Sequence, residues 1–221
     1  IEFALMRTRG DIDQKLLAEL YYQYLNVEED FIKDLFYSAE TKLGRVYVQE
    51  KVLTNDNSVE ILDYERASHI IKTASDIGIS MCYCRHKMKH MGKACDSPMD
   101  ICMTFGNTAN SLIQNNYARR VDSVECKELL HQAYEHNLVQ CGENVREGVT
   151  FICNCCGCCC EALLAAKKFG NMHPVQTTSF YPSISENSCV KCGKCEKVCL
   201  QHLQIRNLLE DVVKEFEAER A

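Results

Sequence analysis

Four cysteines near the C-terminus, Cys189, Cys192, Cys195 and Cys199, read C-V-K-C-G-K-C-E-K-V-C. This is the C-x2-C-x2-C-x3-C run of bacterial ferredoxins, whose thiolates hold the irons of a [4Fe–4S] cube. The spacing suits the geometry of a cube. A tight loop turns three thiolates inward at three corners, and its free backbone N–H groups then face the negatively charged cluster sulfurs. Gly193 relieves crowding where the backbone passes closest. The fourth cysteine of such a run begins a helix and serves the other cluster of a pair. A zinc ribbon would need only paired C-x2-C units and gives no reason for the third and fourth cysteines at these offsets. Leu200 stands where ferredoxins carry proline, which weakens the helix start but removes no ligand.

The same motif recurs 36 residues earlier. Cys153, Cys156 and Cys159 read C-N-C-C-G-C-C, with the glycine at the same offset, but the counterpart of Cys199 is Leu163. The expected scheme has Cys153, Cys156 and Cys159 sharing a cluster with Cys199. Cys189, Cys192 and Cys195 then need a fourth ligand. Cys155, Cys158 and Cys160 are spare and either fill that place or bind a third centre. An earlier group, Cys82, Cys84, Cys95 and Cys102, also offers the four thiolates of a cube. Its alternative is packed thiols with a structural zinc, shared with His86 or His90 at helical spacing. Two [4Fe–4S] clusters are therefore expected, and three if the first group holds one. Cys126 and Cys141 stand apart and read as buried structural thiols.

The chain has 221 residues, 16 of them cysteine, and a formal net charge of −6. Disulfide scaffolds are short, secreted and spread their cysteines through loops. Here six cysteines fall within residues 153–160, and adjacent cysteines cannot pair comfortably. Metal–thiolate chemistry in a reducing, cytoplasmic and anaerobic setting is the natural reading. The acidic balance argues against a general nucleic-acid binder. Apolar runs are too short to span a membrane, and no secretory leader opens the sequence. The opening residue, Ile1, suggests a segment of a longer protein. Arg85, His86, Lys87, Lys89, His90 and Lys93 form a basic stretch. It reads as a docking site, as a positive field for a reduced cluster, or simply as a solvated helix face.

The elements that must position these cysteines are mostly helical. Asp11 and Gln14 suggest a cap before Leu16, Leu17, Leu20, Tyr21, Tyr24 and Leu25, which are spaced for one helix face. Further helices are expected over residues 28–38, 63–76 (stopped by Gly78), 98–114, 122–136 and 161–169, and a short strand over 45–53. Asn207 and Glu210 cap a terminal helix. The predicted fold class is α+β, mainly α. It has a helical part over 1–145, a two-cluster ferredoxin-like module over 146–206 and a C-terminal helix over 207–221.

D-Y-E-R-A at 63–67, C-Y-C-R-H-K at 82–87, A-C-D-S-P at 94–98 and F-I-C-N-C-C-G-C-C-C-E-A at 151–162 resemble a family of bacterial and archaeal 4Fe–4S ferredoxin-domain (dicluster-like) iron–sulfur proteins. The resemblance runs over residues 31–199 and implies iron–sulfur binding and a redox role. No nucleotide-binding or nucleophile motif names a reaction. The leading expectation is an electron-transfer protein or subunit, passing single electrons to a flavoprotein or a larger oxidoreductase subunit. The alternatives are a reductase whose cluster leaves one iron open to substrate, and a redox or oxygen sensor.

Overall fold

The computed structural model describes residues 10–48, 50, 66–169, 174–176 and 207. Cys189, Cys192, Cys195 and Cys199 lie outside them, as does nearly all of the expected terminal helix. The described residues form an α+β fold, mainly helical, with seven α-helices and one six-stranded antiparallel sheet.

α1 (Gln14–Tyr22) is capped by Asp13, whose side chain accepts the Leu16 N–H at 3.0 Å. The cap therefore sits two residues later than the Asp11 pattern suggests. Leu16, Leu20 and Tyr24 remain exposed, and Ala18 is the buried residue of the helix. A π turn, Gln23–Val27, leads into α2 (Glu29–Tyr37). The remaining elements are β1 (Gly44–Val46), α3 (Ala67–Thr73), β2 (Ile77–Met81), α4 (Tyr83–His90), β3 (Asp100–Phe105), α5 (Gly106–Gln114), β4 (Ala118–Val121), α6 (Ser123–Glu135), β5 (Val139–Glu143), β6 (Phe151–Cys155) and α7 (Glu161–Phe169). The strand order is β1-β5-β6-β3-β2-β4. The strand that opens the dense cysteine run, β6, thus lies inside the sheet, between β5 and β3.

Two expectations are corrected here. The single helix over 98–114 is split, because residues 100–105 alternate: Ile101, Met103 and Phe105 turn to the core and make β3. Gly78 is not a helix stop but lies in β2. A Cβ there would meet Thr104 Oγ1 at 3.0 Å and the Ala118 Cβ at 3.2 Å, so the glycine answers to the close approach of side chains from β3 and β4. The 161–169 helix has the expected bounds, and α6 starts at the expected cap: the Asp122 carboxylate accepts the Val124 and Glu125 N–H groups at 2.9 Å.

One core is ordinary hydrocarbon. Ile70, Ile71, Ile77, Ile79, Met103, Phe105, Leu130 and Ile152 pack together with Tyr47 and Cys126. Gly142 keeps this region closed: a Cβ there would lie 2.7 Å from both the Phe151 carbonyl oxygen and the Tyr47 ring. The other buried clusters contain seven of the buried cysteines, and the candidate metal centres begin there.

Candidate metal centres

β6 alternates, so Cys153 and Cys155 share one face while Ile152 and Asn154 take the other. β5 places Cys141 opposite Cys153 and Val139 opposite Cys155. On the other side, β3 pairs Met103 with Ile152, which brings Cys102 to the same row as Cys153. β2 ends at Met81, and Cys82 then forms the extended N-cap of α4, with Cys84 in its first turn. Cys160 immediately precedes α7.

Six of these thiols close a ring. Cys102 touches Cys82 and Cys153. Cys155 touches Cys153 and Cys160, and Cys84 touches Cys160 and Cys82. The Cys102 and Cys155 thiols hold Cys153 down to about 5. Contacts with Cys102 and Cys84 lower Cys82, and contacts with Cys155 and Cys84 lower Cys160. Contacts with Cys160 and Cys82 raise Cys84, contacts with Cys153 and Cys82 raise Cys102, and contacts with Cys141, Cys153 and Cys160 raise Cys155.

The ring borders a cavity of about 420 Å³, lined also by Cys141, Arg85, Glu161, Leu35, Phe36 and Phe151. Arg85 is fully buried. Its Nη1 donates to the Asn154 carbonyl at 3.1 Å and lies 3.7 Å from Cys156 Sγ, while Nε and Nη2 meet no acceptor among the described residues. Lys87, equally buried, donates to Glu161 Oε1 at 2.7 Å and to Asn26 Oδ1 at 2.5 Å. The Cys84 thiol donates to Glu161 Oε2 at 2.6 Å. Burial raises the Glu161 carboxyl and the Lys87 ammonium opposes that shift.

A second group forms where the chain leaves β6. The sulfurs of Cys95, Cys156, Cys158 and Cys159 all lie within 4.8 Å of one another and could hold a metal ion. Cys95 is 3.6 Å from Cys156 and 3.9 Å from Cys159, and Cys158 is 3.7 Å from Cys159. The Cys159 thiol, helped by Arg85, holds Cys156 down to about 5.

The expected grouping is therefore redistributed. Cys153 does not join Cys156 and Cys159, because strand alternation commits it to the ring with Cys155, whereas the turn after β6 sends Cys156, Cys158 and Cys159 to Cys95. The first group divides in the same way: Cys82, Cys84 and Cys102 enter the ring, and Cys95 does not. His86 and His90 join neither centre. Their Nε2 atoms are 3.3 Å apart, and His86 also meets Gln14 Oε1 at 2.9 Å. The basic stretch is no uniform solvated face. Arg85 and Lys87 are buried beside the thiols, Lys89 is exposed, and Lys93 reaches the Tyr22 hydroxyl at 2.9 Å.

Cys126 is the buried structural thiol it was expected to be, in the hydrocarbon core. Cys141 is buried too, but it borders the cavity and contacts Cys155. Only recognition of a β5–β6 hairpin would have placed it there. The role of Glu161 was also missed; a carboxylate adjoining a cysteine run is the signal that marked it. Among the described residues no helix is long and apolar enough to cross a membrane. No protein-family model matches the chain, and neither curated proteins nor solved structures yield a match.

Proposed function

We propose that the chain is an iron–sulfur electron carrier, with [4Fe–4S] chemistry at its cysteine groups and a partner oxidoreductase as donor or acceptor. One observation carries this reading: a ring of six thiols bordering a cavity together with a fully buried arginine, two of whose donors meet no acceptor among the described residues. Thiolate-rich sites select soft metals and iron–sulfur clusters. A buried arginine with free N–H groups is costly unless an anion meets it, and a thiolate-ligated cluster is such an anion. A bound cluster would supply one-electron chemistry, its potential set by hydrogen bonds to sulfur and by burial.

The chain's own residues would do the positioning. Cys82, Cys84, Cys102, Cys153, Cys155 and Cys160 provide more thiolates than one cube requires. Arg85 provides positive charge and hydrogen bonds at the thiols. The Lys87–Glu161 pair ties α4 to α7, so Cys84 and Cys160 are held by a buried strut. The resemblance to 4Fe–4S ferredoxin-domain proteins and the run at Cys189, Cys192, Cys195 and Cys199 support the same reading. A partner of the flavoprotein or larger oxidoreductase type fits a carrier of single electrons.

The cavity supports a second reading, a reductase. Its walls include Leu25, Leu35, Phe36 and Phe151, which leave room for a small apolar substrate beside the thiols.

The test is iron and acid-labile sulfide per chain on anaerobically purified protein, with EPR after reduction. About 8–12 irons with matching sulfide are expected for two or three cubes. Protein without labile sulfide sinks the proposal. Substrate-dependent oxidation of the reduced protein, without a protein acceptor, would favour the reductase.

A further inference from the structure

The dense cysteine run serves two centres of different kinds. Cys153, Cys155 and Cys160 point to the ring; Cys156, Cys158 and Cys159 point to Cys95. We infer that this second group is a mononuclear tetrahedral thiolate site for a single divalent ion, zinc or iron, and not a corner set for a cube.

The argument is geometric. A single ion with metal–sulfur bonds of about 2.3 Å sets its four sulfurs about 3.8 Å apart, the edge of the tetrahedron. Three of the six separations are 3.6, 3.7 and 3.9 Å, and all four sulfurs fall within 4.8 Å of one another. A cube places each thiolate on its own iron, pointing outward from a separate corner, so its thiolates stand much further apart. The quartet matches the tetrahedron of one ion, whereas the ring borders a cavity of about 420 Å³ whose lining omits Cys95, Cys158 and Cys159.

The donor set agrees with the spacing. All four ligands are cysteine, which selects zinc or tetrahedral iron. Among the described residues the group holds four thiols and no fifth donor, the donor count of a structural rather than a catalytic site. The location gives it a task. Cys95 belongs to the segment between α4 and β3, and the other three belong to the turn between β6 and α7. One ion would pin these two segments together. The first of them also supplies the Met99 carbonyl, which accepts the Cys82 N–H at 2.8 Å and so fixes a ring cysteine.

This inference does not depend on the identity of the ring's cofactor. Its test is metal and sulfide analysis of the anaerobic full chain and of Cys95→Ser and Cys158→Ser. Each variant should lose about one zinc, or about one iron, while its labile sulfide stays at the parent level. Loss of iron and labile sulfide in equal amounts would show a cube and overturn the inference; so would no loss of metal. Should both variants fail to fold, the parent protein decides. X-ray absorption at the zinc edge should show only sulfur neighbours at about 2.3 Å. If the ion is iron, Mössbauer spectra should show an isolated tetrahedral iron–thiolate signal. Absence of both signals rejects the site. Protein that lacks labile sulfide altogether but holds this one ion would refute the cluster reading and leave the mononuclear site standing.

Discussion

Two regions of the same sheet are filled with different material. Around α3 and α6 the buried side chains are isoleucine, leucine, methionine and phenylalanine. Each such residue contributes about 1.5–3 kcal/mol on burial, with no help from a ligand. At the β6–α7 end the buried side chains are largely cysteines, and a cavity of about 420 Å³ lies among them. Thiols are small and bring little apolar area, and the same region buries an arginine, a lysine and a glutamate. The first region can fold on hydrocarbon alone. In the second, Lys87 and Glu161 neutralise each other, and the proposed metal–sulfur cofactor would fill the cavity beside Arg85. On that reading, stability in one chain is divided between a self-sufficient core and one completed by inorganic chemistry.

The largest expected effect breaks the two regions apart. Metal removal by a chelator should strip hydrogen-exchange protection from β6 and α7 by about a thousandfold or more, because bound metal is folding free energy in such segments. The amides of β2 and α6 should keep theirs. Equal protection of both regions in metal-free protein would erase the contrast.

Acid should act on the same region. The folded-state values of Cys153 and Cys156 lie at about 5, well below the ordinary thiol, so their thiolates persist at neutral pH. The stability they contribute is fully present above the unfolded thiol value, about 8.5, and is lost as pH falls through about 5. Since protons compete with metal for thiolate, metal release followed by absorbance should occur on the acid side of neutrality. Complete release already at pH 7 would contradict this.

Lys87→Met leaves Glu161 buried without its 2.7 Å partner. A loss of about 3–5 kcal/mol in chemical denaturation is expected. The double variant Lys87→Met with Glu161→Leu should recover most of it, since a hydrophobic pair can replace a buried ion pair. Failure of the double variant to recover would show that the glutamate acts on the thiols and not only on the lysine.

At the border between the two regions, where Gly142 and Phe151 line the cavity, Gly142→Ala drives a methyl against the Phe151 carbonyl and the Tyr47 ring. Overpacking of this kind costs about 1–3 kcal/mol, read as a lower Tm. The smallest effect sharpens the contrast between two kinds of cysteine. Cys126→Ala should cost only about 1 kcal/mol, the loss of a small buried group, and release no metal. Loss of metal in this variant would mean that the two regions are not separate.

The sequence by itself pointed to the chemistry. Sixteen cysteines, crowded as they are, argue against a disulfide framework, the described cysteines are free, and the spacing of the Cys189 run and its earlier echo points to metal–sulfur ligation. It also determined elements whose signals are local: α2 within the expected 28–38, α6 by the Asp122 cap and α7 by its bounds. Local chemistry is legible because caps and periodicity act within one turn of chain. The division of ligands was decided only by the tertiary structure. Strand pairing sets Cys102, Cys153 and Cys141 side by side, although 51 residues separate Cys102 from Cys153. Alternation along β6 then separates Cys153 and Cys155 from Cys156. The burial of Arg85 and Lys87 was equally hidden, because a basic run on a short helix looks solvated until the thiol-lined face it packs on is known. Ligand identity follows from residue type, whereas ligand grouping follows from register, and register is a property of paired strands that no single segment carries.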